Sequence, residues 1–517
     1  MTEEIQPIAA ASRYRVVPAS GADVTENHSP TSRILHQLPQ DTLIVCAEVR
    51  AGEGGRERVR VASPAGWLDA DVLAPVGRAT RLSLDYKTFK ARHLDVMPGD
   101  HYGLEFPISL SALREWGPRF LTEAFRAAGT LPEENRVTEI GALAPVGHPG
   151  ASDAAFLTVA YANSDPDLHT ELFVKLSPTP IERKFTVVGM ALGEVTMNRR
   201  SAEGLLPVPV AKYYFGDYCH ETSNFILITE RVAFGKGPIE PAYVKGYDQH
   251  VPEVEEHYQV LAESLGRCVA AHKRGAMGYD LEGDFPFAQG SRRFPFIDGA
   301  EAKIDQLIDF IARVAPKLFV EEATDPSFLA IWREDLLFGL SHQKEVYDYL
   351  HANVDYTGLC HPNLNIDNAW YWRDTSGALQ TGWLDLGGFG QMSIGQALSC
   401  MLMMPEPARY LKLQRDVMAA FIRTCEAEGG PSLDAEEIRL QYKASVFPVS
   451  IALIIGSCVE LLSQFSDEDY ATMSDWLDPR LQESGLACLI IWIDNVLRDW
   501  LDDLTPGEAC RRIVAGS

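Results

Sequence analysis

The stretch from Cys360 to Gln391, CHPNLNIDNAWYWRDTSGALQTGWLDLGGFGQ, restricts the folds open to this 517-residue chain more than any other. It reads as a polar loop, a short aromatic strand, a turn and a second apolar strand that closes on Asp385-Leu386-Gly387. Two such runs around a polar turn predict a hairpin. His361, Asn363 and Asn368 then sit on one flanking loop and Asp385 on the other, where polar side chains can converge.

A chain of this length is expected to hold two to four domains and a sizeable core. Its formal charge of −26, with no Lys/Arg block, argues against a nucleic-acid partner and against an anionic membrane surface. The acidic excess reads as solubility or, more sharply, as a preference for a cationic substrate. Nine scattered cysteines, odd in number and never in C-x-x-C, predict reduced thiols of a cytoplasmic protein rather than a disulfide frame or a zinc site. The start of the chain, with Glu3 and Glu4 and no apolar core, does not read as a secretory signal. Two uncharged runs are expected to be buried and not to span a membrane: Leu386 to Pro405 is broken by glycines, and Ala444 to Val459 is short and contains Pro448.

In chain order, residues 1–13 read as a tail. From Tyr14 to Pro75, alternation such as Arg58-Val59-Arg60-Val61 and regular Gly/Pro punctuation predict a small barrel of short strands. The phrase GWLDADVLAP resembles the closing strand and turn of SH3-like domains. That resemblance implies a module that docks a protein or peptide partner, against the plainer reading of a packing module with few aromatics. Residues 76–105 mix charge, Pro and Gly and read as a linker. A Ser-capped helix is expected over Ser109–Gly129.

Strands are expected at 136–147, 154–162, 171–178, 208–214 and 225–230, with one helix, Glu194–Leu205, between the third and fourth. The turn Gly147-His148-Pro149-Gly150-Ala151-Ser152 lets backbone N–H groups approach phosphate oxygens, although any hairpin can carry glycines. Lys175 lies inside the apolar strand Leu172–Leu176, where a lysine needs a carboxylate or phosphate unless its strand is an edge turned to water. Glu194 is the candidate partner. The remainder reads as helix at 252–276, 301–320, 328–353, 410–428, 435–463 and 485–504, with His272 as a core histidine and Asp434 as a cap.

These parts occur in a fixed order: Gly-rich turn, strand lysine, helix glutamate, hinge strand, helical half, His-x₆-Asn loop, strand ending in Asp-Leu-Gly. Phosphoryl transfer needs such parts, to hold a triphosphate, its Mg²⁺ and an aligned hydroxyl. Residues 106 to about 510 resemble the aminoglycoside phosphotransferase-like branch of the protein-kinase-like fold, which includes choline kinase-like and fructosamine kinase-like enzymes. The resemblance implies an α+β, two-lobed fold, with a β-rich lobe at 106–232 and a helical lobe at 233–517 behind the small SH3-like barrel at 14–75. It implies ATP or GTP and Mg²⁺ as cofactors. By motif, Lys175 would bind phosphates and Glu194 would orient it, Gly147, Gly150 and Ser152 would cover the phosphates, and the segment from Thr229 through Glu230 to Val232 would meet the base. Asn368 and Asp385 would hold magnesium, and His361 would brace the loop.

The chain departs from that pattern at Asn363, where the branch carries an aspartate that orients the acceptor hydroxyl. An amide positions a hydroxyl without taking its proton. Asp367 is a second carboxylate in the loop, open to three readings: a turn cap, help for the metal, or a replacement base. The expected function is a phosphotransferase acting on a hydroxyl of a small-molecule acceptor, with a nucleotide-binding pseudokinase scaffold as the alternative. No G-x-S-x-G or H-E-x-x-H motif supports another chemistry.

Overall fold

The computed structural model describes residues 13–51, 56–76, 86–146, 152–287 and 297–516. The chain is α+β, with sheets concentrated before residue 231 and helices after residue 253. It divides into two compact units, one formed by Met1–Ala79, Ala242–Asp367 and Gln391–Ser517, the other by Thr80–Pro241 and Asn368–Gly390.

The first unit opens with seven strands: β1 (Arg13–Val16), β2 (Ala22–Thr25), β3 (Ile34–Leu38), β4 (Leu43–Ala51), β5 (Glu57–Ala62), β6 (Ala65–Asp69) and β7 (Leu73–Pro75), in the order β3-β2-β6-β5-β4-β1-β7. Tyr14, Val16, Val24, Leu38, Ile44, Val59, Val61 and Leu68 form their core. Val59 and Val61 are fully buried as the alternation requires, but Arg58 is also buried. Its guanidinium reaches Asp69 at 2.7 Å and Thr25 Oγ1 at 2.5 Å, so this charge is paired inside the sheet instead of facing water.

In the second unit the expected linker contains a helix, α1 (Tyr86–Arg92), whose Phe89 is fully buried. Lys184 fixes that helix by donating to the His93 carbonyl at 2.6 Å, and burial brings its pKa down to about 8. Helix α2 (Leu110–Ala127) starts at the expected cap, with Ser109 Oγ accepting from the Ala112 N–H, and kinks at Gly117-Pro118. Five antiparallel strands follow: β8 (Val137–Pro145), β9 (Asp153–Tyr161), β10 (Glu171–Leu176), β11 (Tyr213–Cys219) and β12 (Asn224–Glu230), ordered β11-β12-β10-β9-β8. The fourth starts later than the expected 208–214. Between β10 and β11 lie a short helix, α3 (Ile181–Thr186), and α4 (Met190–Ser201). The latter runs four residues earlier than expected because Gly189, at φ 80°, starts it and the chain has already turned by Gly204, at φ 71°.

Four short strands come late in the chain: β13 (Thr357–Cys360), β14 (Ala369–Arg373), β15 (Leu379–Trp383) and β16 (Gly390–Ser393). The second and third of these form the expected hairpin, with Ala369 opposite Trp383 and Arg373 opposite Leu379. The outer two, β13 and β16, pair with each other.

The helical part of the first unit includes α5 (Val254–Lys273) and a large core around Trp332, Leu336, Ile451, Ile490 and Leu497. Several expected long helices are interrupted. The run from 301 leaves α-helix after Asp309, that from 328 breaks at His342, and that from 435 after Ser445, just before Pro448. Asp434 caps the last of these by accepting from the N–H groups of Glu436 and Glu437. The helical run Ala435–Gln464 is apolar and long enough for a membrane span by composition, but 61% of its apolar window is buried in the fold. All nine cysteines are free thiols.

Candidate active site

Within the second unit the structure joins three residues that the sequence separates widely. Lys175 lies on β10, between β9 and β12, so it cannot point to an open edge. Its Nζ donates to Glu194 Oε1 at 2.7 Å and to Asp385 Oδ1 at 2.6 Å. The lysine and glutamate side chains are 12% and 7% exposed, and that of Asp385 is 52% exposed. Burial alone would lower the lysine pKa, but the two carboxylates outweigh it and hold the ammonium above its ordinary range.

The local backbone explains why the three meet. Gly193, beside Glu194 on α4, faces the Phe389 carbonyl so closely that a Cβ would lie 2.1 Å from that oxygen. Gly388, at φ 77°, donates its N–H to the Met190 carbonyl at 2.8 Å. The loop after β15 is thereby docked onto the start of α4, and the Leu386 N–H supports the Glu194 carboxylate. Asp385 itself has φ 52°, a left-handed conformation rare outside glycine and enriched at functional sites.

Asn368 stands at the other foot of the same hairpin. Its carbonyl accepts from the Leu384 N–H at 2.8 Å, so the hairpin register brings it to the end that carries Asp385. Asn368 is 7% exposed. Among the described residues no group of three His, Cys, Asp or Glu side chains could hold a metal. The Asn368 amide and Asp385 carboxylate instead offer two oxygen ligands. That donor set fits Mg²⁺, which keeps waters and phosphate oxygens and takes only one or two protein groups.

Gly147 and Gly150 lie outside the described residues. Ser152, just beyond them, has its carbonyl held by Arg183 Nη2 at 2.9 Å, and the neighbouring Asp153 accepts from Thr179 and Arg183. Glu230, which ends β12, accepts from the Lys212 N–H at 2.9 Å and meets His169 at 3.2 Å, so its side chain is engaged in fixing that strand end. Val232 follows two residues later and is half-buried.

The catalytic-loop candidates belong to the first unit. His361 is fully buried at the end of β13, and its Nδ1 accepts from the Asn363 N–H at 3.2 Å, a bracing contact. Asn365 satisfies its surroundings when its amide nitrogen donates to the carbonyls of Cys400 and Met401, at 3.0 and 3.1 Å, leaving its oxygen to face the Asn363 amide 2.5 Å away. The amide at 363 matches it when its own nitrogen is turned towards that oxygen to donate. Asp367 is half-buried in the turn Ile366–Asn368.

Asp248, which the sequence reading did not single out, is buried and accepts from Tyr258 Oη. Burial first, and the charge of Asp367 second, raise its carboxyl pKa to about 7. Its segment, Lys-Gly-Tyr-Asp-Gln-His, carries no periodic signal. His272 is the core histidine expected, with its ring accepting from the Leu359 N–H at 3.4 Å.

No family model matches the chain, and no curated protein matches it. Solved structures similar to it include an ethanolamine kinase from Plasmodium vivax (13% identity, 81% of this chain and 97% of that chain covered, TM-score 0.36). A choline kinase from Streptococcus pneumoniae matches at 12% identity, with 68% and 94% covered and a TM-score of 0.33. An aminoglycoside phosphotransferase from Streptomyces rimosus matches at 16% identity, with 59% and 92% covered and a TM-score of 0.30. At these scores the likeness carries no functional argument, and the chemistry of the site rests on its own residues.

Proposed function

We propose that this protein is a phosphotransferase that uses a magnesium nucleotide, ATP or GTP, and a small-molecule hydroxyl acceptor. The observation that carries this reading is the Lys175 ammonium held between Glu194 and Asp385. A buried cation fixed by one enclosed and one exposed carboxylate is oriented for an anionic ligand and shares its second partner with an oxygen-rich metal site. Lys175 would take phosphate oxygens, with Glu194 orienting it, and Asn368 and Asp385 would hold Mg²⁺, whose charge offsets that building on the transferred phosphoryl group. Glu230 and Val232 would meet the base, and Gly147, Gly150 and Ser152 would cover the phosphates. His361 braces the loop in which Asn363 would orient the acceptor hydroxyl, and Asp367 is the carboxylate there that could take its proton. The net charge of −26 favours a cationic acceptor.

A second reading, a nucleotide-binding scaffold without turnover, is favoured by one observation, the amide of Asn363 paired with that of Asn365. A thermal-shift titration with Mg-ATP and Mg-GTP, followed by a hydrolysis assay, separates the two. A shift with turnover supports the enzyme and a shift without turnover the scaffold, while no shift at millimolar nucleotide counts against both.

A further inference from the structure

The seven-stranded N-terminal sheet grips the strand pair β13–β16 at several points within the first unit. Glu282, in the short helix Leu281–Asp284, is 6% exposed. Its Oε1 accepts from Arg13 Nε of β1 at 2.5 Å and from the Phe287 N–H at 2.9 Å, and its Oε2 accepts from Gln391 Nε2 of β16 at 2.6 Å. Gln391 also donates to the Phe285 carbonyl at 2.6 Å. Arg60 of β5 forks onto Asp355, with contacts of 2.9 and 2.6 Å, two residues before β13 begins. Ser63 donates to the carbonyl of His272 at 2.6 Å, and the ring of that histidine accepts from the middle of β13. Val45 and Ala62 of the sheet pack with Phe287 and Val354. The cavity left there is about 20 Å³, no more than one water needs.

The loop that carries His361 and Asn363 leaves directly from the end of β13. A two-stranded sheet is at best marginally stable by itself, so its geometry has to be set by what packs on it. We infer that Glu282 is a positioning residue, joining the N-terminal sheet through Arg13 to Gln391 and so to the catalytic loop, and that the sheet works in cis as a brace for that loop. The inference rests on the functional reading above. It gives a buried carboxylate, costly unless fully hydrogen-bonded, a role that a merely appended module would not require.

The test uses the full chain and the variants E282Q and E282Q/Q391E. In the exchanged pair, the amide oxygen at position 282 accepts from Arg13 and Phe287 and its nitrogen donates to the carboxylate at position 391, so the link between the two side chains is rebuilt while the donation to the Phe285 carbonyl is lost. Hydrogen–deuterium exchange in E282Q is expected to rise about tenfold across residues 357–365 while the helix Leu486–Asp499 keeps its wild-type protection. Where the wild type hydrolyses nucleotide, kcat is expected to fall about 10- to 100-fold with the KM for Mg-ATP nearly unchanged, the signature of a displaced reacting group. The exchanged pair should restore part of each, since the bond to the Phe285 carbonyl stays broken. R60Q, whose ion pair is partly exposed, reads the same coupling at β13 if E282Q does not purify. Wild-type exchange at 357–365 in E282Q and R60Q, or a rise spread evenly over the whole first unit, overturns the inference. A wild type that binds no nucleotide overturns the functional reading instead and leaves the exchange result to decide the bracing alone.

Discussion

Lys175 and Asp385 are 210 positions apart in sequence and 2.6 Å apart in the structure, joined by an ammonium–carboxylate hydrogen bond. Glu194 completes the arrangement from α4 at 2.7 Å. Stability and function can be separated at this point.

Replacing Lys175 with Met leaves the buried Glu194 without its cation. Removal of one partner of a buried pair costs about 3–5 kcal/mol, so K175M should unfold at markedly lower denaturant. The double variant K175M/E194Q removes the charge on both sides and should recover most of that loss without recovering nucleotide binding. Denaturant melts beside nucleotide titrations check both halves. Recovery of binding in the double variant would mean that the lysine has a structural role alone.

Gly193→Val tests the docking of the Asp385 loop on α4. A Cβ at this position meets the Phe389 carbonyl at 2.1 Å, so either the helix or the loop must shift. Overpacking of this kind costs about 1–3 kcal/mol. The expected outcome is a folded protein whose nucleotide binding no longer responds to Mg²⁺, read by titration with and without EDTA. An unchanged magnesium response would dissociate the loop from the metal site.

Much of this was legible in the sequence for a physical reason. The hairpin at 369–383, the five-stranded sheet and the caps at Ser109 and Asp434 follow from short-range patterns that the backbone must obey. Lys175 was legible because a lysine among apolar strand residues requires a partner. Gly193 and Asp248 were not, because their roles come from close approach and burial against segments distant in sequence. The helix in the expected linker was hidden because it has only one strongly buried residue, Phe89, and so no period to detect. Arg58 and Arg60 read as outward positions of an alternating strand, but both are paired, the first inside the sheet and the second with Asp355.

Asn363→Asp asks whether basicity is what the catalytic loop lacks. Rotation of the Asn365 amide would present an N–H to the new carboxylate but give up its donations to the Cys400 and Met401 carbonyls, so a modest loss of stability is expected. If Asn363 limits proton transfer, hydrolysis should rise by about 10²–10⁴, the usual worth of a general base. Asp367→Ala, in contrast, should lower any turnover present in the wild type and leave nucleotide affinity intact. An unaffected rate in both variants would place the loop outside the chemistry.

A pH dependence of stability is built around Lys443, which is fully buried and donates to Asp499 at 2.7 Å and meets Asp502 at 2.8 Å. Burial alone would raise the Asp502 pKa, but Lys443 and Arg439 outweigh it and lower the value to about 2. A carboxyl with a folded pKa below its unfolded one stabilises fully above the unfolded value, about 3.9, and loses that contribution as pH falls towards 2. Denaturant midpoints should therefore drop between pH 4 and pH 2 less steeply in Asp502→Asn than in the wild type. Parallel curves would show that the pair adds nothing to stability.

Calorimetric titration of the wild type and K175M with Mg-ATP and Mg-GTP asks whether Lys175, Asn368 and Asp385 hold a magnesium nucleotide. A saturable heat that requires Mg²⁺ is expected in the wild type and not in K175M, measured at a temperature where both are folded. No heat in the wild type at millimolar nucleotide, or equal binding in K175M, would contradict it.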